Sequence, residues 1–328
     1  MDIPAPSHPE PHRPKPSPQG VTEGVTEGIN DGVAALLEGL QRSAACTWPA
    51  LWSAGQRLWP STPLRSPAQL EAALRALCVE PAPYTEGQSP RTRLHGNIYT
   101  STEHPAAEAV PLHHELSYRA RPPDVVAFLC VQAAETGGET PLLDGAAFLQ
   151  RAPPALLAPF FAQDLLYIKR MHGGFGLGRS WQAHFETEDR DEVMAFIQAD
   201  GAEAEWTAEG GLVLRQRRPA IWKHPHTNTL CWHNQATLWH PARLGPRGER
   251  LRRALGPEGL PTDVRWASGE PIEDTLMHAI LDEEQRQATR RPWAPGDLLL
   301  LDNHRVAHGR APFTGDRLVL VGMGEAPR

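Results

Sequence analysis

The stretch GDLLLLDNHRVAHGRAPFTGDRLVLVGM, residues 296–323, contains two short apolar runs that are bounded by turn-forming residues. The runs are LLLL at 298–301 and LVLV at 318–321, and Asp, Asn or Gly lies beside each of them. Short apolar runs bounded in this way are typical of β-strands. The stretch therefore predicts two buried strands, joined by a segment that contains His304 and His308.

Further apolar runs of the same kind occur upstream. They are DVVAFLCVQA (124–133), GLVLRQ (211–216) and TLCWHNQ (229–235). Helical spacing of apolar residues occurs in patches between these runs, at 189–199 and 275–287. We therefore predict a mainly β fold with α insertions, built as a β-sandwich or jelly roll.

The N-terminal part of the chain has a different composition. Residues 1–28 combine many prolines with the repeat VTEGVTEG and contain few apolar groups to offset the entropy of ordering. We predict that they form a disordered extension. Residues 29–328 are then one domain, which begins with helices at 30–43 and 66–77, the second of which has Ser66 as its N-cap and Pro67 in its first turn.

Charge and hydropathy limit the partners of this domain. The chain has 328 residues and a formal net charge of −7, with no dense block of Lys and Arg, so we expect no nucleic-acid partner. No apolar run approaches the length of a bilayer span, and the N-terminus lacks the apolar core of a secretory signal. We expect no membrane partner and a cytoplasmic location; the sequence predicts no oligomeric state.

A candidate metal site lies in PLHHELSY, residues 111–118. If this segment is an extended strand, successive side chains alternate between its two faces, so that His113 and Glu115 share one face and His114 points away. A third ligand would have to come from a distant strand, and His304 and His308 are the candidates.

Two histidines and one carboxylate occupy one face of an octahedron and leave three positions open, which is typical of non-haem Fe(II) oxygenases. Two of these positions suit a chelating 2-oxo acid and the third suits O2. The remote carboxylate of such a cosubstrate needs a cation, and Arg317 is a suitable planar, bidentate donor at the start of an apolar strand.

Three motifs together resemble the TauD/TfdA family of Fe(II)- and 2-oxoglutarate-dependent dioxygenases. They are PLHHELSY, ETGGETPLLD (135–144) and LLLLDNHRVAHGRAPFTGDR (298–317). The resemblance implies a clavaminate synthase-like double-stranded β-helix and a metal held by His113, Glu115 and His308. It also implies that Thr140 and Arg317 bind 2-oxoglutarate, and that His304 falls at a variable position.

Within this family, HGNIYTSTEHPA (95–106) and AHGRAPFTGDR (307–317) resemble the subgroup of the syringomycin-pathway aspartate hydroxylase. That resemblance implies hydroxylation of an unactivated C–H bond of an amino acid, or of an aminoacyl group on a carrier protein, in specialised metabolism, with aspartate as one candidate. The subgroup usually has an aromatic residue where this chain has His104 and Phe where it has His233, so the substrate does not transfer directly.

Five residues are candidates for substrate contact because their polar groups are expected near the pocket: Asn97, Tyr99, Ser101, Asn234 and Arg310. Arg310 could serve a substrate carboxylate or pair with Asp302. A different small carboxylate or a sulfonate is an alternative substrate. A zinc hydrolase and a non-catalytic metal-binding jelly-roll protein are alternatives of other classes, but neither gives a role to Thr140 and Arg317.

Overall fold

A computed structural model of the protein describes residues 30–84, 91–256 and 258–327. The predicted disordered extension, 1–28, lies outside the described residues. The helices are α1 (Asp31–Ala54), α2 (Pro67–Ala76), α3 (Gly145–Arg151), α4 (Pro154–Ala162), α5 (Trp181–Phe185), α6 (Arg190–Ala199), α7 (Ala236–Trp239), α8 (Pro246–Leu255) and α9 (Asp274–Gln287), and a 3₁₀ turn spans Pro241–Leu244.

The strands are short and follow one another through the whole chain. They are β1 (Gln56–Trp59), β2 (Glu80–Pro81), β3 (Arg93–His95), β4 (Ile98–Thr100), β5 (Val110–His113), β6 (Val125–Gln132), β7 (Thr136–Gly137), β8 (Leu142–Asp144), β9 (Leu165–Met171), β10 (Glu203–Trp206), β11 (Leu212–Arg218), β12 (Ile221–Lys223), β13 (Leu230–Trp232), β14 (Thr262–Trp266), β15 (Leu298–Asp302), β16 (Val306–Arg310), β17 (Phe313–Thr314) and β18 (Leu318–Glu325).

Within the described residues these strands form one large sheet and several smaller ones. The large sheet has the order β1-β15-β6-β18-β4-β3, with β2 added to β18. The smaller sheets are β10-β11-β9-β14, β5-β16-β8, and the pairs β12-β13 and β17-β7. The pairings in this part of the chain are antiparallel.

The central strands of the large sheet are buried on both faces. In β6, Val126 and Phe128 belong to one apolar cluster, and Val125 and Leu129 belong to another. Alternate side chains of a strand point to opposite faces, so the two clusters lie on opposite sides of the sheet. Burial on both faces explains why these strands are continuous apolar runs in the sequence rather than alternating ones.

The first cluster also contains side chains of the small sheet β5-β16-β8, so the two sheets meet there as the layers of a double-stranded β-helix. The second cluster is covered by α1 and α2, which contribute Leu40, Leu51, Leu70 and Leu74. The predicted mainly β fold with α insertions, a clavaminate synthase-like jelly roll, is confirmed.

The N-terminal helices agree with the sequence in their starts but not in their lengths. Asn30 caps α1 by accepting from the Val33 amide, and Ser66 caps α2 by accepting from the Gln69 amide. However, α1 continues to Ala54, well past the predicted end at residue 43, because Trp48 and other apolar residues of its second half are buried against the sheet. Among the described residues, no helix combines the length and the apolar character that crossing a bilayer requires.

Candidate active site

The small sheet β5-β16-β8 brings two histidines together from distant parts of the chain. His113 of β5 and His308 of β16 are direct partners across the antiparallel pair, and their rings lie 4.6 Å apart, centroid to centroid. Glu115 approaches them from beyond the end of β5. One ligand atom of each of the three residues lies within 4.8 Å of the other two, and all three residues are buried.

Glu115 reaches this position from a turn and not from a strand. The predicted extended conformation of 111–118 is wrong beyond His113, where β5 ends, and Leu116 adopts a left-handed conformation with a φ of 53°. Asn303 holds the turn: its Oδ1 accepts from the Glu115 amide at 2.8 Å, and its Nδ2 donates to the Glu115 carbonyl at 2.9 Å. The side-chain amide thus takes the place of a strand partner.

The protonation states suit a cation. Burial lowers the pKa of His113 to about 4, so its imidazole is neutral at pH 7. Its Nδ1 lies 2.8 Å from the Pro111 carbonyl, which can only accept, so Nδ1 carries the proton and Nε2 keeps its lone pair. Burial alone would raise the pKa of Glu115, but the charge of Arg91 and the neighbouring histidines outweigh burial and hold it well below its usual value.

The two other histidines of these motifs lie apart from the three ligands. His114 is buried against His233, with ring centroids 4.6 Å apart. His304 Nε2 lies 2.8 Å from the carboxylate of Asp124. Neither residue belongs to the group of three that could share one ion.

Arg317 lies in the same cavity and has no acidic partner among the described residues. Its Nε donates to the Gly138 carbonyl at 3.0 Å, and its Nη1 donates to the Ser101 hydroxyl at 3.3 Å. Burial lowers the pKa of Arg317 to about 10, which leaves the guanidinium charged at neutral pH. A half-buried cation with no counter-ion among the described residues fits the remote carboxylate of a 2-oxo acid.

Two glycines allow the chain to pass close to Arg317. Gly137 and Gly138 have φ values of 69° and 73°, a left-handed conformation that glycine adopts without strain. A Cβ on Gly137 would lie 2.1 Å from the Pro312 carbonyl oxygen, so a side chain there would break the pairing of β7 with β17. The following Thr140 lines the cavity, and its hydroxyl accepts from Trp293 Nε1 at 3.1 Å.

His113, His308, Thr140 and Arg317 line one cavity. Its lining residues are Arg91, Ser101, Thr102, Val110, His113, Phe128, Thr140, His308, Gly309, Arg310 and Arg317. The structure thus brings together both histidine ligands, both predicted cosubstrate residues and two of the predicted substrate residues, Ser101 and Arg310.

The other predicted substrate residues do not line this cavity. The Asn97 amide bonds to the Pro81 carbonyl and accepts from Arg93, and the Tyr99 hydroxyl accepts from the Tyr84 amide. Asn234 is buried; its Nδ2 donates to the Ala220 carbonyl and its Oδ1 accepts from the Ala236 amide. These bonds leave Asn97, Tyr99 and Asn234 as untested predictions whose polar groups already have partners.

Arg310 lies at the cavity but does not pair with Asp302. Its two Nη atoms donate to the carbonyls of His104, Pro105 and Glu108 at 2.6 to 2.7 Å. Asp302 instead lies 2.7 Å from His224 Nε2. Arg310, which lines the cavity, therefore holds the 104–108 loop, and its Nε is buried without a partner among the described residues.

Three residues with a clear place in the site were not among the predicted ones: Asn303, Trp293 and Arg91. Asn303 belongs to the motif LLLLDNHRVAHGR, which the sequence analysis had already connected with the metal site. Trp293 and Arg91 lie outside the three motifs, and only the fold brings them to Thr140 and Glu115.

A family model described as taurine catabolism dioxygenase TauD, TfdA family matches residues 54–323. The chain belongs to this family. It is a dioxygenase whose cofactors are Fe(II) and 2-oxoglutarate, and its site fits both: two imidazole donors with one carboxylate suit the metal, and Arg317 suits the cosubstrate. Family membership decides against the zinc hydrolase and the non-catalytic metal-binding protein.

Individual relatives agree with this assignment. The chain is 32% identical over 270 residues to the dapdiamide synthesis protein DdaC of Enterobacter agglomerans, and the match covers 82% of each chain. Among solved structures, a taurine dioxygenase from Burkholderia xenovorans has a TM-score of 0.51 at 14% identity, covering 86% of this chain and 79% of that one. An asparagine oxygenase has a TM-score of 0.50 at 12% identity, covering 89% and 79%. These structural likenesses concern the fold.

Proposed function

We propose that the protein hydroxylates an unactivated C–H bond of an amino acid or of an aminoacyl group on a carrier protein, with an aspartyl group as the leading candidate. The observation that carries this proposal is the charge of the cavity. Three guanidinium groups, those of Arg91, Arg310 and Arg317, line it, and no acidic residue is among the lining residues.

The charges of the cofactors leave a positive surplus. The 2-oxoglutarate dianion offsets Fe(II), and Glu115 offsets one of the three guanidinium charges, so the site keeps a net positive charge. Buried charges without counter-charges are unfavourable, and an anionic substrate would supply one. An amino acid with a side-chain carboxylate meets this requirement better than a neutral substrate.

The residues of the chain position the reactants. His113, Glu115 and His308 would hold the metal, and Arg317 with Thr140 would hold the remote carboxylate of 2-oxoglutarate. The bound iron and cosubstrate would supply the chemistry that inserts one atom of O2 into a C–H bond, with succinate and CO2 as co-products. The loop held by Arg310 and the apolar ring of Phe128 would limit the access of water.

The relatives support a biosynthetic role. DdaC is named for dapdiamide synthesis, and the asparagine oxygenase structure contains 3-hydroxyasparagine and succinate. A carrier protein as partner and a cytoplasmic location are parts of the same proposal.

The test is a mass-spectrometric screen with Fe(II), 2-oxoglutarate and O2. Free amino acids, aminoacyl carrier proteins and small sulfonates are the substrates, and His113→Ala is the control. We expect one amino acid, free or tethered, to gain one oxygen atom, with one succinate formed for each product. Turnover of a sulfonate or of another small carboxylate, with every amino acid inert in both forms, would refute the proposed substrate class.

A further inference from the structure

Arg91 contacts the metal-binding carboxylate and also lines the cavity. Its Nη2 donates to Glu115 Oε2 at 2.7 Å, and only 4% of its side chain is exposed. The Tyr84 ring supports the guanidinium, whose central carbon lies 4.0 Å from the ring centroid. Arg91 is therefore held rigidly beside the metal ligands rather than extended into solvent.

Most of the hydrogen-bonding capacity of Arg91 is unused. Its Nε and Nη1 are buried and have no hydrogen-bond partner among the described residues. A guanidinium cannot lose its charge at any ordinary pH, and a buried donor without a partner is unfavourable. In the planar guanidinium group, Nε lies on one side of Nη2 and Nη1 lies on the other. If the Glu115 carboxylate also turns toward one of these two nitrogens, the other nitrogen remains as a donor for a second anion.

We propose that Arg91 binds the anionic group of the substrate, a side-chain carboxylate under the proposed function, while its Nη2 keeps Glu115 in place. This inference rests on the proposed function and adds a location to it. Glu115 is one of the three metal ligands, and Arg91 lines the same cavity as His113 and His308, so an anion bound to a second nitrogen of Arg91 lies in the cavity beside the metal site. The C–H bond that reacts is then close to that carboxylate, as the β-carbon of an aspartyl group is.

Arg310 and Arg317 are less suited to this role. Arg317 is assigned to the cosubstrate, and both Nη atoms of Arg310 bind the backbone of the 104–108 loop. Among these three arginines, Arg91 is the one that pairs with a metal ligand, and it is a specificity-determining residue that selects a carboxylate over the carboxamide of the same shape.

The experiment compares L-aspartate with L-asparagine, each free and as the aminoacyl carrier protein, and includes taurine as a sulfonate. The protein is loaded anaerobically with Fe(II) and 2-oxoglutarate. The dissociation constant of each probe is measured from the change it causes in the visible charge-transfer band. The variants are Arg91→Gln, which removes the charge, and Arg91→Lys, which keeps the charge but loses the fork of donors. Arg42→Gln, on the exposed face of α1, is the matched control.

We expect the wild-type protein and the control to bind the aspartyl probe more tightly than the asparaginyl probe. Arg91→Gln should weaken the aspartyl probe about 10- to 100-fold and leave the asparaginyl probe little changed, while the band itself persists. Arg91→Lys should lie between the two.

Two results would overturn the inference. One is an aspartyl preference that survives in Arg91→Gln. The other is loss of the charge-transfer band in Arg91→Gln with full recovery of band and affinities in Arg91→Lys, which would limit Arg91 to orienting Glu115. If taurine alone binds and Arg91→Gln abolishes its binding, the anion site is supported and the proposed amino-acid substrate is refuted.

Discussion

Asn303 offers the sharpest test of how the fold positions the metal site, because one side chain holds the turn that carries Glu115. Its amide makes three hydrogen bonds, two of them buried and the last part-buried: from the Glu115 amide at 2.8 Å, to the Glu115 carbonyl at 2.9 Å and to the Pro123 carbonyl at 2.9 Å. Asn303→Ala removes all three and leaves their backbone partners buried. At about 1 to 1.5 kcal/mol for each bond, the free energy of unfolding should fall by about 3 to 5 kcal/mol.

The same variant should lose metal affinity. Residues that orient a metal ligand typically contribute about 10- to 100-fold to the affinity, so the Fe(II) dissociation constant should rise by that factor. Stability is measured by urea unfolding of the metal-free protein, and affinity by anaerobic Fe(II) titration with 2-oxoglutarate present. Gln216→Ala is the matched control, because this buried amide bonds to Asp200 and lies away from the site. The control should lose stability but keep its Fe(II) affinity. An unchanged Fe(II) affinity in Asn303→Ala would refute the role of Asn303 in placing Glu115.

Three further predictions concern the cosubstrate site, a buried carboxyl group and the N-terminal segment. Arg317→Ala should raise the 2-oxoglutarate requirement about 10- to 100-fold in steady-state kinetics, and Thr140→Ala less so, because charge-assisted bonds contribute about 1.5 to 3 kcal/mol each; an unchanged requirement would remove Arg317 from the cosubstrate site. Burial raises the pKa of Glu284 from 4.5 to about 7, so the folded state favours its protonated form, and the stability this provides below pH 4.5 is lost as the pH rises through 7. Glu284→Gln has no titrating group at this position. Its free energy of unfolding in urea, relative to the wild-type protein, should therefore rise by about 2 to 3 kcal/mol from about pH 5 to pH 8, and a difference that does not change with pH would contradict the raised pKa. Deletion of 1–28 should leave melting temperature and turnover intact, whereas a large drop in melting temperature would show that this segment docks on the domain.

The apolar pattern predicted the central strands of the large sheet because these strands are buried on both faces. The runs in β6, β15 and β18 stand out in the sequence for that reason. The helix starts at Asn30 and Ser66 were also readable, since capping depends on neighbours within a few residues. Local signals of this kind do not depend on the rest of the chain.

The turn at Glu115 could not be predicted in the same way. The sequence pattern placed His113 and Glu115 on the same face of one strand. The strand ends at His113, so the alternation of side chains along a strand is not what brings the two residues together. The turn depends on Asn303, which lies 188 positions further along the chain. The partners of Arg310 were missed for a similar reason, since its three acceptors are backbone carbonyls of a loop more than 200 positions away.

The family motifs supplied what local patterns could not, namely which histidine joins His113 and Glu115. They carry no information on Arg91, which lies outside all three motifs and acquires its place only when β5 and the preceding segment fold together. The residue that we propose for substrate recognition could therefore be identified only from the structure.

The central claim is that His113, Glu115 and His308 hold Fe(II) to which 2-oxoglutarate binds as a chelate. The most direct measurement is the visible charge-transfer band that forms when Fe(II) is added anaerobically to the protein with 2-oxoglutarate. We predict the band in the wild-type protein and in His114→Ala, and its absence in His113→Ala, with near-ultraviolet circular dichroism confirming that both variants are folded. A band that persists in folded His113→Ala, or that disappears in folded His114→Ala, would contradict the account.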